Sequence, residues 1–208
     1  MTRGREIYAY VIYKCPIDPE KTVADLAHDF FSSIFMTPGT GLCFKDSGWY
    51  GLKDQSDNKK VNNIILSRFL PTLSISDKRQ RDLCFNILKV CPELVHGFWG
   101  STKISFEPKT AINHLEIMDF ANQVVCLSVR PFFGNEQCAS NGPPSVDVAL
   151  SNIVPDALTK STISRCLQQK SRDARFATIK LLTNSFEKFH VIFHQVCQIR
   201  KSSGSLDW

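Results

Sequence analysis

The sequence predicts an all-α chain, an irregular α-solenoid segment of about seven helices with two long loops. Three observations predict it. Apolar residues recur at helical spacing along most of the chain, and convincing strand alternation is absent. Clusters of Pro and Gly cut the periodic runs into helix-sized pieces. The last two runs each carry an apolar stripe that neither can bury alone, which is how one unit of a stacked helical array behaves. The domain reading is a single helical-repeat region over residues 1–208, with 131–144 as an internal mobile loop and 202–208 as a flexible tail.

The elements follow in order. Asp18-Pro19 forms a cap and first turn. Val23, Leu26, Ala27, Phe30 and Ile34 keep helical spacing until Pro38-Gly39 ends the helix. Thr37 to Asp57, rich in Gly, Asp and aromatics, is a structured loop, with Trp49 expected at least half buried against the helices. Asn58 to Leu70 is a helix with Val61, Ile64, Ile65 and Phe69 inward. Ser76 begins another, with Leu83, Cys84, Ile87, Leu88 and Cys91 inward, and Pro92 breaks or kinks it after Cys91. Pro108 and Thr110 start a helix that runs to about Leu127. Gly134, Asn141-Gly142 and Pro143-Pro144 make Arg130 to Pro144 a loop. Val146 to Ile153 is a short helix stopped at Pro155.

The last two helices form a pair. Leu158 to Gln169 carries Leu158, Ile163, Cys166 and Leu167 as its apolar residues. Ser171 caps the long helix that continues to about Val196, with no Pro or Gly to interrupt it. At 3.6 residues per turn, Ala174, Thr178, Leu181, Leu182, Ser185, Phe186, Phe189, Phe193 and Val196 fall on one face. Leu181, Leu182, Phe186 and Phe189 are therefore expected in the core.

Composition narrows the class. An apolar fraction of 43% suits a packed globular protein. No apolar run is long enough to span a membrane. The N-terminus lacks a small-residue cleavage site, which argues against a signal peptide. The eight cysteines show no CxxC-type zinc spacing, and Cys84 and Cys91, seven apart on one helical face, read as buried thiols of a reduced compartment. The net charge of +5 is uneven. Residues 1–155 hold 16 basic and 16 acidic side chains, whereas 156–201 hold nine basic against three acidic. A basic helix pair on a neutral body is an electrostatic footprint for nucleic acid, or simply a solvated surface. With the aromatics of the pair placed mainly on the buried stripe, no stacking platform for bases is expected.

No catalytic constellation emerges, so the chain is not expected to be an enzyme or to hold a cofactor. His190 and His194 have the i, i+4 spacing of metal ligands, but the run His190-Val-Ile-Phe-His194 lacks the Glu of HExxH. Thr37-Pro-Gly39-Thr-Gly41 lacks the Lys-Ser/Thr of a P-loop. Asp54 and Asp57 lack the other acids of an EF-hand. No partner His is fixed for Cys91, which reads as a structural thiol.

Two resemblances remain. Ala174-Arg175, with Thr178 and Leu182 beyond it, is similar to the second helix of HEAT-type repeats, in the wider HEAT/armadillo class. The acidic partner such an Arg often has in the preceding turn is missing here, since that turn is Gln168-Gln169-Lys170-Ser171. Gly39-Thr-Gly-Leu-Cys-Phe-Lys-Asp-Ser-Gly-Trp-Tyr50 resembles the glycine-aromatic segment of the nucleolar pre-ribosomal-associated protein 1 family. Asn86-Ile-Leu-Lys-Val-Cys-Pro-Glu-Leu-Val95, Ile104-Ser-Phe-Glu-Pro108 and Ile153-Val-Pro155 continue it, as do Ala174-Arg175 and Leu181-Leu182. The resemblance covers about residues 23 to 196 and implies a non-catalytic helical-repeat scaffold of the nucleus and nucleolus. Such a scaffold acts in early assembly of the large (60S) ribosomal subunit and maturation of its rRNA. The implied partners are pre-60S assembly factors and pre-rRNA, with no membrane and no small-molecule substrate. Members are much longer, so the resemblance also implies an N-terminal-region fragment or short isoform. On this reading Lys160, Arg165, Arg172, Lys180 and Lys188 are the expected contacts to RNA or partner, and Arg175 is structural. The alternative is a cytosolic HEAT-like protein–protein adaptor.

Overall fold

The computed structural model describes residues 23–37, 41–44, 62–102, 104–108, 111–128 and 146–202. Eight α-helices and no strand occur among them: α1 (Val23–Met36), α2 (Ile64–Phe69), α3 (Lys78–Val90), α4 (Val95–Ser101), α5 (Ala111–Val125), α6 (Val146–Ser151), α7 (Lys160–Leu167) and α8 (Arg172–Ser202). The expected cap at Asp18-Pro19, Trp49 and most of its loop, the loop at 131–144 and the tail beyond Ser202 lie outside the described residues.

The centre is α3. Asp77 caps it by accepting from the Gln80 amide at 2.9 Å, and the Gln80 side chain accepts from the Ser74 amide at 2.8 Å. Its charged residues leave one apolar stripe, and Leu83, Cys84, Ile87 and Leu88 are completely buried, as the spacing predicts. The helix ends where Pro92 forces it to. Cys91 takes a non-helical conformation, a 3-10 turn follows over Pro92–Leu94, and α4 leaves in a new direction. That short helix was not anticipated. It brings Phe98 against Phe120 and Trp99 against Phe106 and Phe120, with ring centroids 6.0–6.2 Å apart.

The other helices assemble around α3. α1 lies on it, pinned by Arg79 and Asp25 at 2.8 Å. α5 packs on its other side, with Arg81 bridging to Glu116 at 3.1 Å. α8 runs along α5, and α7 packs on α8. Residues 41–44 fold back onto α1 and α3. A Cβ on Gly41 would overlap the Ile34 carbonyl oxygen, so this approach requires glycine. Asn63 then binds both the N–H and the C=O of Phe44, at 2.8 and 3.0 Å, and donates to Glu93 at 2.6 Å.

Three helices take a different phase from the one expected. In α1 the inward residues are Ala24, Phe31, Ile34 and Phe35, while Val23, Leu26 and Phe30 are exposed. In α2, Leu66 and Leu70 are buried, and Ile64 and Ile65 face out. In α8 Ala174, Thr178, Leu181 and Ser185 are buried as expected, Ile192 joins them, and Leu182 is half-buried. Phe186, expected in the core, is 71% exposed, and Phe189 and Phe193 are exposed too. The reason is close approach. Small residues on the inward face let α8 seat closely between its neighbours, with Thr178 against Cys166 of α7 and Asn184 against Asn122 of α5, where bulky rings would hold the helices apart. The buried hydroxyls cost little, because Thr178 donates to the Ala174 carbonyl and Ser185 to the Leu181 carbonyl, both at 2.8 Å.

Candidate partner-binding surface of the terminal helix pair

The pair is built from its caps. Thr159 starts α7 by accepting from the Thr162 amide at 3.3 Å. Ser171 starts α8 by accepting from the Ala174 amide at 3.3 Å. Between them, Arg175 reaches back and donates to the carbonyls of Gln169 at 2.7 Å and Lys170 at 3.3 Å. These are groups at the C-terminal end of α7 that a cation satisfies well. Arg175 is therefore the structural clip expected of it. Its partners are main-chain oxygens in place of the missing acid.

The five expected contact residues divide. Lys160, Arg172 and Lys180 are exposed, and the last two lie eight residues apart on α8, about 12 Å along the axis. Arg165 is half exposed and engaged: its Nη2 meets Glu107 at 3.1 Å, and its Nε donates to the Ser161 carbonyl at 3.3 Å. Lys188 departs from expectation. It sits half-buried beside Leu181, Ser185 and Ile192 instead of off the apolar stripe. Burial pushes its ammonium down to about 8, and the neighbouring Cys126 pulls the other way. Cys126 itself accepts from Asn184 at 3.1 Å, and Asn184 also donates to Asn122 at 2.6 Å, a polar seam between α5 and α8. A side chain so held is a poor anchor for phosphate.

Phe176 was missed. It is 66% exposed and lies one turn from both Arg172 and Lys180. Ala174, Thr178 and Ser185 lie on the expected face, but a stripe wide enough to include Phe186, Phe189 and Phe193 as well does not show which of its edges is buried.

Elsewhere the chemistry is sparse. His190 and His194 are exposed, with rings 6.5 Å apart, and no group of three or more metal-ligating side chains converges among the described residues. Cys91 is buried, its sulfur 3.1 Å from that of Cys43, both reduced. Burial raises the Cys84 thiol far above the usual range. No described helix is long and apolar enough to cross a membrane.

The family model described as Ribosome 60S biogenesis N-terminal matches residues 6–116. The chain belongs to that family. The match takes in α1 to α4 and the start of α5, and the terminal pair lies beyond it. Two curated relatives share the name nucleolar pre-ribosomal-associated protein 1. The Saccharomyces cerevisiae protein is 28% identical over 124 residues, which is 57% of this chain. The human protein is 25% identical over 168 residues, 77% of this chain. The aligned stretch spans 7% of the length of each relative. No solved structure matches.

Proposed function

We propose that the chain serves as a non-catalytic scaffold in the nucleolus during assembly of the 60S subunit and maturation of its rRNA. The family membership carries this reading. The all-helical architecture and the excess of basic residues over 156–201 support it, and on this reading the helices form an α-solenoid segment. Lys160, Arg172 and Lys180, with Arg165 at the edge, form the cationic end that meets pre-rRNA or an acidic assembly factor. Phosphate contacts release counterions, so this association weakens steeply with salt and reads little sequence.

The test reverses three exposed charges together, Lys160→Glu, Arg172→Glu and Lys180→Glu. The fold should hold, because changes at such sites usually stay within about 0.5 kcal/mol. Comigration with pre-60S particles on a sucrose gradient, measured with and without RNase, should fall. Wild-type comigration of the reversed chain would reduce the patch to a solvated face.

A further inference from the structure

The outer face of α8 carries Ile179, Leu182, Phe186, Phe189 and Phe193, at successive intervals of three, four, three and four residues. That is the a/d spacing of a coiled-coil seam, and here all of it but the half-buried Leu182 faces water. Ile179, Phe186 and Phe193 are 54%, 71% and 44% exposed, and Phe189 is exposed as well. The rings of Phe189 and Phe193 stack at 6.0 Å into a continuous ridge. The seam stands beside the inward stripe of Ala174, Leu181 and Ile192, so the apolar face extends well past the part that is buried. A helix patterned this way is one that packs on two sides.

We infer that this seam docks an amphipathic helix of a second, acidic protein. The spacing accounts for the helix, because a and d side chains enter holes that only a facing helix offers. Charge accounts for the acidity. The two positions that extend the seam toward the start of α8 are Arg172 and Arg175, and no acidic residue occupies a seam position from 172 to 193. Single-stranded RNA fits the apolar part poorly. Between Lys180 and Gln198 the only Lys or Arg is Lys188, which is half-buried, so phosphates running along the rings would lack cations. The inference goes beyond the proposed function and stands whether or not the cationic end meets pre-rRNA.

A fluorescent peptide about three heptads long, with Leu at its a and d positions and Glu at one end, is the probe. It is titrated against the full chain by anisotropy, beside a scrambled peptide and oligouridine. The acidic helix should bind, and the scrambled one should bind at least about tenfold more weakly. Phe186→Ser with Phe193→Ser should weaken binding by about tenfold or more while the circular-dichroism melt stays in place. No binding of the acidic helix, or equal binding by the double variant, would overturn the inference. Loss of oligouridine binding in the double variant would overturn it in favour of RNA. A concentration-dependent dimer that the same variant converts to monomer would assign the seam to a second copy instead. Particle recruitment of a chain carrying only Lys160→Glu and Lys180→Glu, which leaves Arg172 and Arg175 of the seam in place, is a separate readout, so failure of either reading leaves the other to stand or fall alone.

Discussion

α3 and α8 are both amphipathic, yet the sequence discloses the whole buried face of one and only an edge of the other, where Ala174, Thr178, Leu181 and Ser185 are inward as expected and the rings are not. In α3 the run Lys78-Arg-Gln-Arg-Asp82 and the polar positions beyond it confine the apolar residues to one stripe, and Leu83, Cys84, Ile87 and Leu88 are all buried there. In α8 the apolar residues spread around most of the helix, so burial can choose among several faces. It chooses the side with Ala174, Thr178 and Ser185, because α5 and α7 both pack on α8 and small residues let them come close. Helix phase is legible where polar residues exclude the alternatives. Where they do not, the neighbour's shape selects.

Truncation tests this contrast most directly. Ile87→Ala in α3 and Leu181→Ala in α8 each remove a completely buried side chain and should each cost about 2–5 kcal/mol in urea denaturation. Equal losses from the two helices would show that α8 is as firmly seated as α3. Next in size is overpacking. Ala174→Leu pushes a large side chain into the close contact and should cost about 1–3 kcal/mol, read from the same denaturation midpoints. A neutral result would mean the small-residue face is loosely packed.

Two titrations refine the picture. His114 on α5 is 2% exposed, neither ring nitrogen has a hydrogen-bond partner, and burial lowers its pKa. The unfolded chain then takes up the proton first. Stability should fall as the pH drops below about 6.5 and level off below the folded-state value. His114→Leu should flatten that part of the pH–stability curve, and an unchanged curve would exclude the residue as its source. For Lys188 the sign is the same at higher pH, since its folded value of about 8 lies below the ordinary lysine range. Lys188→Met should stabilise at neutral pH, and the gain should shrink as the pH rises through 8 and beyond.

The smallest effect expected is the most diagnostic. Phe186→Ala should change stability by no more than about 0.5 kcal/mol, because a ring 71% exposed has little burial to lose. A cost approaching that of Leu181→Ala would restore the face expected from large apolar residues alone.

Among the candidate contacts, exposure of Lys160, Arg172 and Lys180 follows from their polar surroundings in the sequence. Lys188 does not, because the Cys126 it lies beside comes from the end of α5, far away in the chain and across the α5–α8 seam. The clip made by Arg175 was legible as a structural role but not as a bond. Its acceptors are main-chain oxygens, which no side-chain pattern announces.

Periodicity, caps and prolines by themselves determined that the chain is helical, where α3, α5 and α7 run, and that Pro92 ends α3. These are local matters of dihedral preference and unsatisfied end groups, settled within a turn or two of each residue. Only the tertiary structure decided which sides of α1, α2 and α8 are buried, that Lys188 is held in the seam, and that Phe176 and Phe186 face outward. Those outcomes depend on how near a neighbouring helix can come, and that distance is set by side chains far away in the sequence.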